Sequence, residues 1–171
     1  MIIAYHLTLG LLLVIFQTVL LAGSGPAHFY DLLAPLVVYL GVYHRAREAI
    51  AVLLLGGLAM DGISGGVFGV HLTAYLWMFV GVRWAIQFLD VDNPILLTLL
   101  VTTAVAFESL LVAFSAVVLA RSAWPVESML AVVSQQVLWG AVTGPFLMLL
   151  IIRGQRVVEG AKKSIISEKL P

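Results

Sequence analysis

Long apolar segments separated by short polar turns are the feature that most constrains the fold of this chain. Hydrophobic residues make up 62% of its 171 residues and charged residues only 11%, against about 25% charged residues in an ordinary soluble domain. A soluble domain of this size leaves much of its surface in water, so it cannot bury this much apolar surface. The sequence therefore predicts a polytopic, all-α membrane protein.

Turn residues and charges divide the apolar sequence into six predicted membrane spans. They are residues 2–22, 30–43, 48–63, 67–89, 95–120 and 127–152. The second and third spans are short, so they either extend through flanking residues or are partly broken inside protein. At about 20 residues for each span, little chain remains outside the membrane. We expect one six-span transmembrane domain, residues 1–152, and a basic cytoplasmic tail, residues 153–171.

The basic residues indicate how these spans are oriented. No Lys or Arg precedes Arg45, so the first span is predicted to be a retained anchor rather than a signal peptide. With both termini in the cytoplasm, only Arg121 falls on the outer side. The remaining basic residues all fall inside: Arg45, Arg47, Arg83, Arg153, Arg156, Lys162, Lys163 and Lys169. The positive-inside rule therefore favours six spans with both termini in the cytoplasm.

The sequence offers little that points to enzyme chemistry. It contains no P-loop, no H-E-x-x-H and no G-x-S-x-G motif, and without cysteine it has no thiolate nucleophile or disulfide. Its four histidines lie on separate segments without metal-ligand spacing, and its zero net charge does not favour nucleic acid. We predict a non-enzymatic protein without cofactor, metal or nucleic-acid partner.

Ionisable residues inside the spans are candidates for function, because they are costly in lipid. Glu108 lies about 20 Å along the fifth span, close to the middle of the bilayer. It could be a proton-linked or substrate-binding carboxylate, a protonated side chain hydrogen bonded to a neighbouring helix, or a contact with a partner's membrane helix. Asp31, at the outer end of the second span, is interpreted as a solvated end group.

Further polar candidates lie in the outer halves of the spans. His71 and Tyr75 are four residues apart and share one face of the fourth span. Asp61 is at the outer end of the third span, and Gln135 and Gln136 are near the outer end of the sixth. These groups could converge on an outward-facing polar cavity, or they could form ordinary hydrogen bonds between helices.

Glycines four residues apart predict a close approach of helix backbones. Gly140 and Gly144 form such a pair within the sixth span. The pairs that begin at Gly62 and Gly65 lie between the third and fourth spans, where glycine can instead serve a turn with positive φ. The sequence alone leaves both interpretations open for these glycines, close helix packing and a turn.

The segment 56–75 resembles the central motif of the bacterial rod shape-determining protein family MreD. In that motif an apolar helix ends in G-L-x-x-D, a Ser-Gly turn follows, and L-G-x-H opens the next helix. Asp61, Gly65, Gly69 and His71 match it position by position. Chain size, span count and cytoplasmic ends are also similar, whereas the first sixty residues resemble the family only in hydropathy.

The resemblance implies a non-enzymatic component of the cell-elongation (rod) complex, located in the bacterial inner membrane, that supports peptidoglycan synthesis and cell shape. Members of the family partner MreC, and together they support the MreB filament, the glycosyltransferase RodA and a class B penicillin-binding protein. The family is similar in architecture to the substrate-binding subunits of energy-coupling-factor transporters, which implies a six-helix bundle. We therefore expect a membrane scaffold. The alternative is a substrate-binding subunit of a vitamin or small-molecule transporter, with Asp61, His71, Glu108 and Gln135 in an outer-half pocket.

Overall fold

A computed structural model describes residues 2–21, 31–89, 93–119 and 126–168. These residues form helices and turns, without a strand among them, so the predicted all-α class is confirmed for this part of the chain. The helices are α1 (Ile2–Phe16), α2 (Leu33–Tyr43), α3 (Ala46–Ser64), α4 (Val70–Ala85), α5 (Pro94–Val118) and α6 (Val126–Glu168), and a π-helical turn, Gln17–Leu21, extends α1. The predicted span limits at residues 22, 30 and 120, together with Arg121 and Lys169, lie outside the described residues.

Helix α2 lies at the centre of the bundle. It packs against each of the other five helices, and residues 31–41 are all buried. Between Leu33 and Tyr43 there is no charged residue, and a helix that is apolar on every face is typically buried. A short, wholly apolar helix is stable here because its neighbours cover it on every side.

Two glycines allow neighbouring helices to approach closely. A Cβ on Gly57 would lie 2.7 Å from Cα of Leu72, so α3 and α4 meet backbone to backbone. A Cβ on Gly140 would lie 2.9 Å from a methyl carbon of Val105, which places α6 directly against α5. The second contact lies where the sequence predicted a close approach. Substituting either glycine with a larger residue would push a helix pair apart.

Helices α5 and α6 carry large apolar side chains on their outer faces. The exposed ones include Leu99, Phe107, Leu110 and Phe114 on α5, and Leu138, Trp139, Val142 and Phe146 on α6. Two helical segments, Pro94–Val118 and Met129–Val158, are long and apolar enough to cross a membrane. They are the two candidate membrane spans among the described residues by length and composition.

Helix α6 continues beyond the predicted end of the sixth span. It runs through Pro145 and into the predicted tail, to Glu168. A Cβ on Gly154 would lie 2.5 Å from the hydroxyl of Tyr5, and Gln155 lies 3.1 Å from a ring nitrogen of His44. The first residues of the basic tail therefore pack against α1 and against the residue that follows α2.

Candidate functional site

Five polar side chains meet at the N-terminal end of α2, inside the bundle. We call them the acidic cluster: Asp31, Asp61, His71, Tyr75 and Glu108. They come from the start of α2 and from α3, α4 and α5, and the exposed fractions of Tyr75, Glu108 and Asp61 are only 1%, 3% and 4%. Burial of this many polar groups is costly unless they satisfy one another or bind something.

Asp61 joins the end of α3 to the beginning of α4. Its Oδ1 accepts a hydrogen bond from the backbone N–H of His71 at 2.9 Å, and its Oδ2 accepts one from that of Leu72 at 3.2 Å. The residue that precedes α4 is Gly69, which has no side chain for capping. Asp61 therefore supplies the cap from the preceding helix, since first-turn N–H groups have no partner within their own helix.

The same carboxylate orients the imidazole ring of His71. Asp61 Oδ1 lies 3.1 Å from Nδ1 of His71, and the His71 side chain is 12% exposed. One helical turn further along α4, the ring of Tyr75 lies 6.3 Å from that of His71, centroid to centroid. With Nδ1 occupied by Asp61, the second ring nitrogen, Nε2, is left to bind another group.

Gly65 and Gly69 shape the turn between α3 and α4. Their φ angles are 66° and 94°, in the left-handed region that favours glycine. A Cβ at either position would meet no heavy atom within 4 Å. Backbone conformation rather than close packing therefore explains these two glycines. A larger residue at Gly69 would strain the turn, so it would not test a partner contact by its bulk alone.

Asp31 is a buried member of the site, and its interpretation as a solvated end group is wrong. Only 9% of the residue is exposed. Its Oδ1 accepts a hydrogen bond from the backbone N–H of Leu33 at 2.9 Å, and its Oδ2 accepts one from the hydroxyl of Tyr75. Local sequence did not reveal this role, because burial of Asp31 depends on how α4 and α5 pack against α2.

Glu108 lies midway along α5, beside Asp31. A carboxyl oxygen of Glu108 lies within 4.8 Å of a carboxyl oxygen of Asp31, and Oε2 of Glu108 is buried without a hydrogen-bond donor among the described residues. Among the described residues, basic and acidic side chains lie within ion-pair distance only at His44 with Glu48 and at His71 with Asp61, so no Lys or Arg pairs with Asp31 or Glu108. Two carboxyl groups in contact need a proton or a cation between them, because ionised carboxylates only accept hydrogen bonds.

The structure thus brings together four of the predicted site residues, Asp61, His71, Tyr75 and Glu108, and adds Asp31. The other candidates lie on α6. Gln135 and Gln136 are half-buried, and no hydrogen bond joins them to the described residues of the acidic cluster. Gly140 and Gly144 are buried, with Gly140 against α5.

Apolar hollows adjoin the described part of the bundle, and a cavity and a groove among them bear on function. A cavity of about 320 Å³ lies between α1, α2 and α3, with Leu36, Val37, Leu53 and Ala59 among its walls. Tyr75 also lines this cavity, so one residue connects the cavity with the acidic cluster. A shallower groove of about 540 Å³ runs between α4 and α5, and its walls include Trp77, Gly81, Trp84 and Phe107.

A second cluster of polar side chains lies at the opposite, C-terminal end of α2. We call it the histidine cluster: His6, Tyr39, His44 and Gln155. The rings of His6 and His44 lie 4.4 Å apart, centroid to centroid. Nε2 of His44 lies 3.4 Å from the hydroxyl of Tyr39 and 3.1 Å from Oε1 of Gln155. The sequence did not reveal this cluster, because its members come from three helices and the segment after α2.

The acidic cluster can hold a proton or a cation, and the cavity beside it can hold an apolar molecule. Comparisons of the chain with protein-family models, with curated proteins and with solved structures found no match. What the chain does must therefore be argued from its own residues.

Proposed function

We propose that this chain is a non-enzymatic inner-membrane scaffold of the rod complex, which binds MreC and thereby supports peptidoglycan synthesis and cell shape. One observation carries the proposal. The four residues of the MreD-like motif lie at the single connection between α3 and α4. Asp61 caps α4 and contacts the ring of His71, and Gly65 and Gly69 take the positive φ angles of the turn. Motif residues that act together in one turn support the family resemblance more strongly than four matches at unrelated positions would.

The proposed topology is a six-span bundle with both termini in the cytoplasm. The distribution of basic residues supports this orientation, and the exposed apolar faces of α5 and α6 suit contact with lipid. RodA, a class B penicillin-binding protein and the MreB filament are proposed as further partners. Because the loops between the predicted spans are short, contacts with these partners would form mainly within the bilayer or at its inner edge.

The groove between α4 and α5 is the surface that we propose for a partner's membrane helix. In lipid, helices associate through close packing rather than through the hydrophobic effect, so small residues favour contact. Gly81 lies in this groove, and a Cβ there would meet no atom of the chain within 4 Å. A side chain at Gly81 would fill the groove without disturbing packing inside the bundle.

Copurification of the tagged full chain with MreC in mild detergent tests the proposal. We expect a stoichiometric complex, and we expect Gly81→Leu to reduce MreC recovery at least tenfold. Gly160→Leu, at another helical glycine with open space around it, is the matched control and should leave recovery unchanged. Absence of MreC from the wild-type preparation would contradict the scaffold, and unchanged recovery with Gly81→Leu would exclude the groove as the contact surface.

A second candidate function is the substrate-binding subunit of a vitamin or small-molecule transporter. The observation that favours it is the apolar cavity beside Tyr75, whose volume is at the lower end of the range for small-molecule sites. This function predicts copurification of an ATPase pair and a tightly held small molecule. Ala59→Leu would fill the cavity and displace that molecule, while a scaffold would bind MreC as before.

A further inference from the structure

We infer that the acidic cluster is a binding site for one first-row transition-metal dication, with Asp31, His71 and Glu108 as its protein ligands. A carboxyl oxygen of Asp31, a carboxyl oxygen of Glu108 and a ring nitrogen of His71 all lie within 4.8 Å of one another. Small side-chain rotations would bring these atoms to the distances of about 2.0–2.2 Å at which Zn²⁺ binds oxygen and nitrogen. Two carboxylates and one imidazole suit zinc or manganese.

Asp61 has the position of a residue that holds a metal-binding histidine in place. Ligating histidines usually donate their other ring N–H to a carboxylate, which fixes the tautomer and the orientation of the ring. Asp61 Oδ1 lies 3.1 Å from Nδ1 of His71, and the two oxygens of the Asp61 carboxylate each accept a hydrogen bond from a backbone N–H group. Nε2 of His71 is therefore the nitrogen that would bind the ion.

The charges around the site match a dication. Asp31, Asp61 and Glu108 together carry three negative charges when ionised, and Asp31 and Asp61 each accept hydrogen bonds from the first turn of a helix. Each helix N-terminus is equivalent to about half a positive charge, so about two negative charges remain uncompensated. One doubly charged cation would neutralise them.

Glu108 indicates that the cluster is incomplete without a ligand. Its Oε2 is fully buried and lacks a hydrogen-bond partner, whereas Asp31 and Asp61 both have donors. A proton shared between Asp31 and Glu108 or a metal ion bound by both could satisfy this oxygen, and the metal titration below distinguishes the two.

The sequence did not predict this site because its ligands have no local spacing. They come from the start of α2, from α4 and from α5, and only the packing around α2 brings them together. The inference is independent of the proposed scaffold. Loss of MreC binding with metal binding intact would contradict the scaffold alone, and the reverse result would contradict the metal site alone.

Metal titration of the full chain in detergent tests the inference. We would strip the protein with EDTA, titrate it with Zn²⁺ by calorimetry and measure bound metal by mass spectrometry, expecting one ion for each chain. Glu108→Gln and His71→Ala should each weaken binding at least 100-fold, and Asp61→Asn should weaken it about 10- to 100-fold. Glu48→Gln, which alters a carboxylate beside His44, is the matched control and should bind Zn²⁺ like the wild type.

Two results would overturn the inference. One is a folded, monodisperse wild-type protein that takes up neither Zn²⁺ nor Mn²⁺, and the other is metal binding that survives both Glu108→Gln and His71→Ala. If those variants do not fold, histidine modification by diethyl pyrocarbonate provides a test on the wild type. Zn²⁺ should protect His71 from modification, and equal modification of His71 with and without Zn²⁺ would also contradict the site.

Discussion

The two ends of α2 bury polar side chains against the same central helix, but with opposite chemistry. At the N-terminal end, the acidic cluster contains three carboxyl groups, one imidazole and one phenol. At the C-terminal end, the histidine cluster contains two imidazoles, a phenol and an amide. Both clusters draw residues from several helices, so each is assembled by the packing around α2.

The difference lies in which groups can satisfy one another. A neutral imidazole, a phenol and an amide can each donate and accept hydrogen bonds, whereas an ionised carboxylate only accepts. Members of the histidine cluster can therefore pair with one another, as the two oxygens facing Nε2 of His44 illustrate. The acidic cluster needs a proton or a cation between Asp31 and Glu108, which makes it the end of α2 where we place the proposed ligand.

We expect the largest effect from a glycine substitution that forces helices apart at the acidic end. A Cβ on Gly57 would lie 2.7 Å from the backbone of Leu72, the residue after His71, whereas a Cβ on Gly41, near the histidine end, would lie 2.6 Å from the side chain of Val82. A side chain can rotate away more easily than a backbone can shift. Gly57→Ala should therefore reduce stability by about 3 kcal/mol and Gly41→Ala by about 1 kcal/mol.

Thermal unfolding in detergent would measure this difference. Gly62→Ala is the control on α3, because a Cβ there meets no atom within 4 Å. It should be neutral or slightly stabilising, since alanine favours the helix over glycine. Equal losses of stability for Gly57→Ala and Gly41→Ala would show that the two ends of α2 accommodate an added Cβ equally well.

A pair of tyrosine substitutions compares the hydrogen bonding at the two ends. Tyr75→Phe removes the hydroxyl that donates to Asp31, and it leaves a buried carboxyl oxygen without that donor. We expect a loss of about 2 kcal/mol. Tyr39→Phe removes a hydroxyl from His44, but Gln155 remains 3.1 Å from the same nitrogen, so the loss should be about 0.5 kcal/mol. Unfolding midpoints of both variants would test the ranking, and a reversed order would contradict this account of the two clusters.

Local patterns in the sequence predicted some members of the site and not others. The motif placed Asp61 and His71 at a helix connection, and the four-residue spacing placed Tyr75 on the same face as His71. Asp31 was misinterpreted because nothing near it in sequence indicates that α4 and α5 cover it. Likewise, the local sequence does not indicate that His6 and His44 lie together, because packing around α2 brings them into contact. Contacts within one helix or one connection leave a local pattern, whereas contacts made through a central buried helix do not.

Substitution of Asp61 tests the cap that this residue provides for the first turn of α4, at the acidic end of α2. Asp61→Asn keeps one oxygen acceptor but loses the charge that faces the first turn of α4 and Nδ1 of His71. We expect a loss of about 1 kcal/mol, within the range for helix caps. Hydrogen–deuterium exchange should become faster in the first turn of α4 and stay unchanged in the residues around His44. Equal protection of α4 from exchange in the variant and in the wild type would show that the cap does not depend on the charge of Asp61.

We expect the smallest effect at the histidine end, from the ion pair between His44 and Glu48. Nδ1 of His44 lies 3.7 Å from Oε2 of Glu48, whose side chain is 38% exposed. Exposed pairs of this spacing contribute about 0.3–0.5 kcal/mol, because water screens the attraction and ordering the side chains costs entropy. Glu48→Gln should therefore shift the unfolding midpoint only slightly and should lose that small effect in high salt. A loss of stability as large as that of Asp61→Asn would mean that partial exposure to water does not weaken this pair. The electrostatic contributions at the two ends of α2 would then differ less than the burial of their residues indicates.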